Sequence, residues 1–453
     1  MYRIYVGDMD KVQRALHQKY GPLVRIAPNE VSCAEPTVIP KIYRNQAPLQ
    51  KTDFYPIWGG TEISKQPDTF TCLDERVHSN YRRIVNPVYT LSNVLKNEEF
   101  INKCTNLFVQ RLGEHADRKE DIDLGKWYAF DVIGEIFFGR MFGFMENSHD
   151  HGVFIASLDA LMPVLCIAAI GPAYLRPLVT GSASAIPAAL KAAKSVDDIR
   201  KAAIAATNQR KKDIEDGVVP RNDLLQQLFG IVREKGEKVN FTHNEATLES
   251  WVAMFAGSDT TAIGLRSCFY YLMKNPKAQT KALAEIDAAV AANVLSSPIK
   301  YSETTTKLPY ICACIKEAMR LHPSVALNIQ RHAPVEGIVL SGKHIPKGYR
   351  IGVNPAVVHY DKGAFGEDAD QFKPERWLVG EERYKAMEKS LLIFGAGTRT
   401  CIGKNISLTE TYKLVPEVLR HFTLEMAHDR PWKTSNRWFN KQTDIIVKVK
   451  RRA

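Results

Sequence analysis

A cysteine lies in a glycine-rich loop directly before a predicted helix near the C-terminal end of the chain. The loop runs from Phe394 to Gly403 and contains Gly397, Arg399 and Cys401. A helix N-terminus and a nearby arginine lower the pKa of a thiol, and glycines let backbone amides approach the sulfur. Such amides tune a thiolate that is bound to a metal. The pattern therefore favours a metal-binding thiolate at Cys401 over a buried structural cysteine.

The centre of a long predicted helix carries residues that usually avoid helix interiors. Asp and Thr at positions 259 and 260 have low helix propensity, and Gly257 costs about 1 kcal/mol relative to alanine. A structural explanation is available: Thr260 hydrogen-bonds to the preceding turn, Asp259 pairs with a neighbouring cation, and Gly257 permits close packing. Several departures from helix rules at one place are nevertheless typical of a functional site.

Two pairs of charged residues have the spacing of neighbours on a helix. Glu317 and Arg320 are three residues apart, and His78 and Arg82 are four apart. Each pair therefore shares one helix face. Taken alone, either pair also fits an exposed polar surface, and each gains meaning only beside the other motifs.

Helices must position most of these residues. A helical period dominates from about 75 to 330, and a capping box of Thr242 and Glu245 begins a helix that Asn275-Pro276 ends. That helix has about 32 residues and can cross a whole domain. After Arg331 short extended runs follow, at 338–340 and 349–354. The sequence predicts a mainly α fold with a minor β portion, in one large α+β domain over residues 1–453.

Composition sets limits on the class of protein. The chain has 453 residues, 45% of them hydrophobic, and a net charge of +11, which excludes disordered, collagen-like and disulfide-rich small proteins. The excess of positive charge indicates an acidic partner or surface. Eight cysteines without a C-x-x-C pair disfavour a zinc site and indicate a reducing compartment. No window of about 18 apolar residues exists, and Pro163 interrupts the most apolar stretch.

The cysteine loop resembles the haem-binding signature of the cytochrome P450 monooxygenases. The shared residues are Phe394, Gly397, Arg399, Cys401 and Gly403, at the same spacing. The resemblance implies that Cys401 is the axial thiolate ligand of the iron of haem b (iron protoporphyrin IX). It also implies that Arg399 contacts a haem propionate and that Phe394 packs beside the thiolate. Thiolate ligation favours cleavage of the O–O bond.

The central helix segment resembles the oxygen-binding segment of the same family, written AGxDT. Ala256 and Gly257 would then lie against the haem. By the same resemblance Thr260 would hydrogen-bond bound O2 or an ordered water, and Asp259 would supply protons. O2 is accordingly expected as the co-substrate.

Other motifs follow in the family's order. Phe372-Lys373-Pro374-Glu375-Arg376-Trp377 resembles a segment that contacts the Glu-x-x-Arg helix. The resemblance implies a buried structural network of Glu317, Arg320 and Arg376. It also implies contacts of His78, Arg82 and Arg331 with the haem propionates, with histidine at a position where many members have tryptophan. The implied fold is the cytochrome P450 fold, with the long helix over the haem.

The resemblance implies an activity and partners. No dinucleotide-binding glycine turn or flavin module is present in the sequence, so electrons must come from NADPH through a cytochrome P450 reductase. The expected substrate is a hydrophobic small molecule that is hydroxylated, coupled or demethylated, in fungal secondary metabolism of the pisatin demethylase-like type. Nucleic acid is not an expected partner, and the protein is expected to be a monomer. The alternatives are a peroxide-using or isomerising haem-thiolate enzyme and a non-catalytic haem sensor.

Family position also suggests which residues line the substrate pocket, with core packing as the alternative for each. They lie in the segments 54–74 and 157–185 and at Phe255, Ser258, Ala326, Leu327, Trp438 and Phe439. Eukaryotic members carry an N-terminal membrane anchor and a hinge, and this sequence begins beyond both. We therefore expect a trimmed anchor, contact with a membrane surface and attachment to the cytosolic face of the endoplasmic reticulum. Without an anchor the expected location is the cytoplasm.

Overall fold

A computed structural model describes residues 1–59, 62–124, 127–150, 154–183, 185–218 and 221–452. Gly60, Thr61 and Ser184, which fall in the two suggested pocket segments, lie outside the described residues. Helices dominate: α1 (Tyr2–Val6), α2 (Met9–Tyr20), α3 (Ile39–Ile42), α4 (Glu75–Val85), α5 (Leu91–Lys96), α6 (Glu98–Arg118), α7 (Trp127–Phe138), α8 (Phe144–Asn147), α9 (Phe154–Ile170), α10 (Arg176–Ala183), α11 (Pro187–Glu215), α12 (Leu224–Val239), α13 (His243–Lys274), α14 (Pro276–Ala291), α15 (Tyr301–Lys307), α16 (Pro309–Leu321), α17 (Pro355–Val358), α18 (Lys362–Phe365), α19 (Glu381–Lys389) and α20 (Lys404–His421).

Short strands form small sheets beside the helices. The largest has the order β1-β2-β7-β4, and β3-β11-β8, β9-β10 and β5-β6 form the others. The mainly α fold with a minor β portion is confirmed. The strands are β1 (Leu23–Ala27), β2 (Glu30–Cys33), β3 (Ile122–Asp123), β4 (Arg331–His332), β5 (Ile338–Leu340), β6 (Lys343–Ile345), β7 (Arg350–Val353), β8 (Phe422–Met426), β9 (Lys433–Arg437), β10 (Phe439–Thr443) and β11 (Ile446–Arg451).

The long helix α13 has the predicted bounds. Thr242 and Glu245 form the capping box, and the helix ends at Lys274, directly before Asn275. Its 32 residues pack against α7, α12, α16 and α20, and most of its side chains are buried. Because it is buried on nearly all sides, polar residues along α13 must find partners inside the protein.

The apolar segment around Pro163 differs from the prediction. The proline was expected to interrupt the segment, but it lies inside α9. Packing of α9 against α11 and α10 stabilises the helix despite the missing amide hydrogen. Among the residues that the structure describes, no helix is long and apolar enough to cross a bilayer.

The structure brings Glu317, Arg320 and Arg376 together in a buried network. Arg320 donates two hydrogen bonds to Glu317, from Nε at 2.9 Å and from Nη2 at 2.8 Å. Arg376 Nε donates to Glu317 Oε1 at 2.9 Å, and Trp377 Nε1 donates to Oε2 at 2.8 Å. The side chains of Glu317 and Arg320 are 0% exposed. One carboxylate thus organises two guanidiniums and an indole.

His359 connects this network to the chain that precedes the cysteine loop. Its Nδ1 lies 2.9 Å from the carbonyl oxygen of Arg320, and its Nε2 accepts a hydrogen bond from the Leu392 amide at 2.8 Å. Burial lowers the pKa of His359 to about 3. The ring is therefore neutral, with its proton on Nδ1, and it ties α16 to a residue two positions before Phe394.

We predict that Glu317→Gln destabilises the protein by about 3–5 kcal/mol, because it removes the acidic partner of the buried Arg320 and leaves Arg376 with Asp368 alone. The measurement is the urea midpoint of the holoenzyme, followed by far-UV circular dichroism. Glu381→Gln is the control, since its ion pair with Lys385 lies on the surface. Equal midpoints for the two variants would contradict a stabilising role for the network.

Candidate functional site

The loop before α20 turns tightly around Cys401. Residues Gly397–Arg399 form a single 3₁₀ turn, and the Cys401 amide donates to the carbonyl oxygen of Phe394 at 2.9 Å. Gly397 has φ of 69°, and a Cβ there would lie 2.5 Å from the carbonyl oxygen of Tyr43. Only glycine fits that position without a shift of the neighbouring backbone. The loop is thereby pressed against the segment that follows α3, with the thiol at its tip.

The Cys401 side chain is accessible although it lies deep in the protein. It is exposed, whereas the cysteines at the other seven positions are buried or half-buried. Burial raises the pKa of the Cys401 thiol, and the Gly403 amide, Arg82 and Lys404 only partly oppose this effect. Desolvation thus outweighs the helix terminus and the nearby arginine, which by themselves lower the pKa of a thiol. A bound metal cation is what would deprotonate such a thiol outright.

Basic residues collect beside the loop. Arg399 Nε donates to Glu75 Oε1 at 2.6 Å, and Arg399 Nη1 donates to the carbonyl oxygen of Cys72 at 2.8 Å. His78 is buried, and its Nδ1 lies 3.4 Å from the same Glu75 oxygen. Burial opposes the effect, but hydrogen bonds from His78 and Arg399 lower the pKa of Glu75 to about 2. Glu75 at the start of α4 was not predicted as a site residue, although its spacing from His78 marks it.

Lys51 is a second residue that the sequence did not single out. It is 4% exposed, and within the described part of the chain its Nζ donates one hydrogen bond, to the carbonyl oxygen of Phe70 at 2.6 Å. Burial lowers the pKa of Lys51 well below its usual range, and Arg331 and Arg399 lower it further. Within the described residues no carboxylate oxygen lies within 4.0 Å of a charged nitrogen of Lys51, Arg82 or Arg331. No motif in the sequence marks Lys51 as a candidate for binding an anion. Only its burial in the folded protein points to it.

These residues fit a haem. Buried cations without counter-ions are costly, so the basic cluster suits a ligand that carries carboxylates, as the two propionates of haem do. Arg399 Nη2 is also buried without a hydrogen-bond partner. The accessible thiol of Cys401 lies beside this cluster, since Arg82 acts electrostatically on both Cys401 and Arg399. A thiolate with adjacent propionate partners is what a haem-thiolate site requires.

The centre of α13 presents a short accessible stretch on a buried helix. Ala256 is exposed, and Gly257 and Thr260 are half-buried. Thr260 Oγ1 donates to the carbonyl oxygen of Ala256 at 2.8 Å, and Ser324 Oγ donates to the Thr260 carbonyl oxygen at 2.7 Å. The Thr260 side chain is therefore hydrogen-bonded to the preceding turn, as the structural explanation for this residue requires. Its carbonyl oxygen is bonded by a residue outside the helix.

Asp259 is also paired, as the structural explanation requires. Its side chain is 0% exposed, and Oδ2 lies 2.6 Å from Nζ of Lys441. A Cβ at Gly257 would lie 3.1 Å from Ile133, which is a close helix contact. Ser258 points into the core, where Oγ donates to the Met254 carbonyl oxygen at 2.9 Å. Gly257, Asp259 and Thr260 thus all have structural partners, and Ala256, Gly257 and Thr260 remain at least partly accessible.

Four of the six suggested single positions and part of each suggested segment lie in one cluster of apolar side chains, which we call the apolar cluster below. Phe54 and Trp438 have ring centroids 4.8 Å apart, and Trp58 lies 6.3 Å from Trp438. Ser258 does not join it, and Ala326 touches it through a backbone hydrogen bond to Trp438. Its members from the suggested segments and positions are Phe54, Tyr55, Ile57, Trp58, Phe70, Leu73, Met162, Leu165, Cys166, Ala169, Ile170, Phe255, Leu327, Trp438 and Phe439.

Known proteins resemble this chain over nearly its whole length. The family model described as cytochrome P450 matches residues 3–449. Cytochrome P450 monooxygenase gsfF of Penicillium aethiopicum is 44% identical over 99% of this chain and 90% of its own length. Cytochrome P450 monooxygenase ACRTS1 of Alternaria alternata is 42% identical over 82% of this chain and 99% of its own length. Cytochrome P450 monooxygenase cicH of Emericella nidulans is 35% identical over 99% of this chain and 90% of its own length.

Matches of this extent confirm the predicted family and class of enzyme. They cover the cysteine loop, α13 and the charge network together, and a family with this fold uses haem and O2. The chain therefore belongs to the cytochrome P450 family and is a monooxygenase of that family.

Proposed function

We propose that the protein oxidises a hydrophobic small molecule with O2, using haem b held by Cys401 and electrons from an NADPH-dependent reductase. The observation that carries the proposal is the thiol of Cys401, accessible deep in the protein beside buried cations that lack counter-ions. The fungal relatives support a role in secondary metabolism.

Haem supplies the electron-transfer and O2-activating chemistry when it is bound. Cys401 would hold the haem iron through its thiolate, and Arg82, Arg331, Arg399 and His78 would hold the propionates. Lys51 would join them, because its buried charge has no other anion within ion-pair distance in the described part of the chain.

Residues of α13 would transfer protons to the haem site and exclude water from it. Thr260 is the polar member of the accessible stretch Ala256, Gly257 and Thr260, and its hydroxyl can exchange its bond to the Ala256 carbonyl oxygen for one to a bound water. Asp259 would hold the proton that passes to Thr260, and Ser324 holds the carbonyl oxygen of Thr260 by a hydrogen bond.

The apolar cluster supports a hydrophobic substrate. Its residues come from the segment between α3 and α4, from α9, from α13 and from the hairpin β9-β10, so several elements would contact one molecule. Phe54, Trp58 and Trp438 offer flat aromatic surfaces, which suit a substrate with rings. Hydroxylation, coupling and demethylation are all compatible with the same arrangement.

Two other functions are distinguished by experiment. A peroxide-using or isomerising enzyme would turn over without NADPH and reductase, and a haem sensor would form no product. Spin-state titration of the holoenzyme against a panel of apolar metabolites, followed by product analysis with reductase and NADPH, separates the three. Product that forms only with NADPH, reductase and O2 supports the proposal, and product without them overturns it.

We expect Cys401→Ala to abolish the red-shifted ferrous–CO absorption band that reports thiolate ligation, because no other cysteine reaches the loop tip. The measurement is the difference spectrum of haem-supplemented, dithionite-reduced protein. Cys312→Ala on α16 is the matched control and should keep the full band. An unchanged band in Cys401→Ala would refute Cys401 as the ligand.

We expect Thr260→Ala to keep the haem but to release several-fold more peroxide per NADPH consumed, because a proton is no longer held beside the haem. The control is Thr247→Ala, which removes an equivalent back-bond, 2.8 Å to the His243 carbonyl oxygen, near the start of the same helix. The ratio of peroxide to NADPH is measured with a compound that shifts the spin state. Equal ratios in the two variants would count against Thr260.

We expect reduction by reductase to slow as salt is raised, because a basic surface steers an acidic flavin domain. Arg76 and Arg83 lie exposed on α4, the helix that also carries His78 and Arg82. Reduction rates are measured from low salt to about 0.5 M, where the screening length falls to a few ångströms. Arg76→Glu with Arg83→Glu should slow reduction at low salt, whereas Lys343→Glu on β6 should not. A rate that is independent of salt would contradict steering.

A further inference from the structure

A lysine from the C-terminal hairpin lies between two carboxylates that belong to different helices. Lys441 on β10 has Nζ 2.6 Å from Oδ2 of Asp259 in the centre of α13. The same ammonium also pairs with Oδ1 of Asp159 on α9. Exposure rises along the row, from 0% for Asp259 to 12% for Lys441 and 40% for Asp159. The three side chains therefore lead from the helix interior towards the surface.

Hydrogen bonds fasten the strand that carries this lysine to α13. Gln442 Nε2 donates to the carbonyl oxygen of Ile263 and to Ser267 Oγ, both at 2.9 Å. Arg266 Nη2 donates to the carbonyl oxygen of Gln442 at 3.3 Å. These bonds join residues one and two turns beyond Asp259, so the backbone next to Lys441 has little freedom. The ammonium is consequently presented to Asp259 by a fixed strand.

The contact between Lys441 and Asp259 is electrostatic rather than directional. Among the described residues Lys441 is the one cation within 4.0 Å of Asp259, and neither carboxylate oxygen accepts a well-aligned hydrogen bond. A buried carboxylate depends strongly on a single counter-ion, but without directional bonds it is free to rotate once that charge is drawn away. Asp259 is thus held by charge alone.

The other charged groups around Asp259 are few in the described structure. Arg266, on the same helix, is buried and pairs with Asp123 on β3 at 3.1 Å. Asp159 faces the site from α9, and Lys441 faces it from β10. Burial lowers the pKa of Lys441, but Asp259 and Asp159 outweigh this effect and raise it. Lys441 therefore keeps its charge and is shared between two acids.

The second acid belongs to the helix that contributes to the apolar cluster. Asp159 lies one turn before Met162 on α9, and Met162, Leu165 and Cys166 are members of that cluster. A molecule that packs against the cluster would bear on α9. Any shift of α9 changes the distance from Asp159 to Lys441, while the strand bonds keep Lys441 near Asp259.

We propose that Lys441 is a positioning residue that holds the Asp259 carboxylate on the hairpin side of α13, and that Asp159 competes for the same ammonium so that proton supply follows the position of α9. This inference rests on the proposed role of Asp259 in proton delivery. When Asp159 draws the ammonium away, the Asp259 carboxylate takes a proton from solvent-side water and passes it to the Thr260 side. The carboxylate is then restored, and Lys441 keeps its three protons throughout.

The test uses holoenzyme without substrate. Holoenzyme and reductase are given NADPH in air-saturated buffer, and the rate of peroxide release is followed from about pH 5.5 to pH 8.5. NADPH supplies the two electrons that convert O2 to peroxide, and the release consumes protons. In Lys441→Gln the Asp259 carboxylate loses its counter-ion and takes a proton at higher pH, so the profile should move up by about one pH unit. Lys441→Arg should restore the wild-type profile. A profile for Lys441→Gln that superimposes on the wild type would overturn the inference.

Asp159→Asn supplies a second variant with the opposite expected sign. Without its competitor, Lys441 acts on Asp259 alone, so the profile should move to lower pH. The control is Lys433→Gln on the neighbouring strand, which pairs with Asp444 at 2.9 Å and should leave the profile unchanged. If all variants lost haem to the same extent and had the same pH dependence of peroxide release as the wild type, the role of Lys441 would be structural only, and the inference would fail.

Asp259→Asn separates the inference from the function on which it rests. If Asp259→Asn flattens the profile while Lys441→Gln leaves it unchanged, the role of Asp259 stands and that of Lys441 fails. If Asp259→Asn itself leaves the profile unchanged, proton delivery by Asp259 fails, and the role of Lys441 fails with it.

Discussion

The carboxylate of Glu317 lies where α16 meets the segment Lys373–Trp377, and the cysteine loop depends on this contact. Both oxygens are saturated by Arg320, Arg376 and Trp377 in a fully buried setting. The carbonyl oxygen of Arg320 then fixes His359, which holds the Leu392 amide. Because His359 is neutral and both of its nitrogens are used, the chain enters the loop at a fixed place. The buried charge network on α16 is thus linked through His359 to the chain that precedes the cysteine loop.

The surroundings of Cys401 are an example of burial opposing charge. Burial raises the pKa of the Cys401 thiol and lowers the pKa of Lys51, so the protein alone disfavours the charged form of both groups. A haem would satisfy both groups, since its iron stabilises a thiolate and its propionates stabilise cations. The same burial that disfavours the charges excludes competing water. Within the described residues, Cys401 and Lys51 therefore lack sufficient partners for their charged forms, and haem offers a partner to each.

The residues at the centre of α13 show that structural and chemical roles can share the same atoms. Thr260 back-bonds to Ala256, and Asp259 pairs with Lys441, so each has a partner within the fold. Neither contact is hard to exchange: a hydroxyl can rotate, and the ion pair lacks an aligned hydrogen bond. A residue that transfers protons must have a defined position and must also be able to exchange its hydrogen-bond or ion-pair partner. The structural explanation and the functional one are therefore compatible at these two residues.

Local pattern was sufficient for the elements and for the family. The capping box and Asn275-Pro276 determine the ends of α13, and the spacing of the loop from Phe394 to Gly403 identifies its class, because these signals involve neighbours in sequence. Contacts between residues that are far apart in the sequence could not be predicted from such local patterns. Lys51, His359 and Lys441 acquire their roles from groups about 40 to 350 residues away, and the pKa of Cys401 rises because burial outweighs its local helix terminus. Desolvation and ion pairing depend on what surrounds a group in three dimensions, so only the tertiary structure decided them.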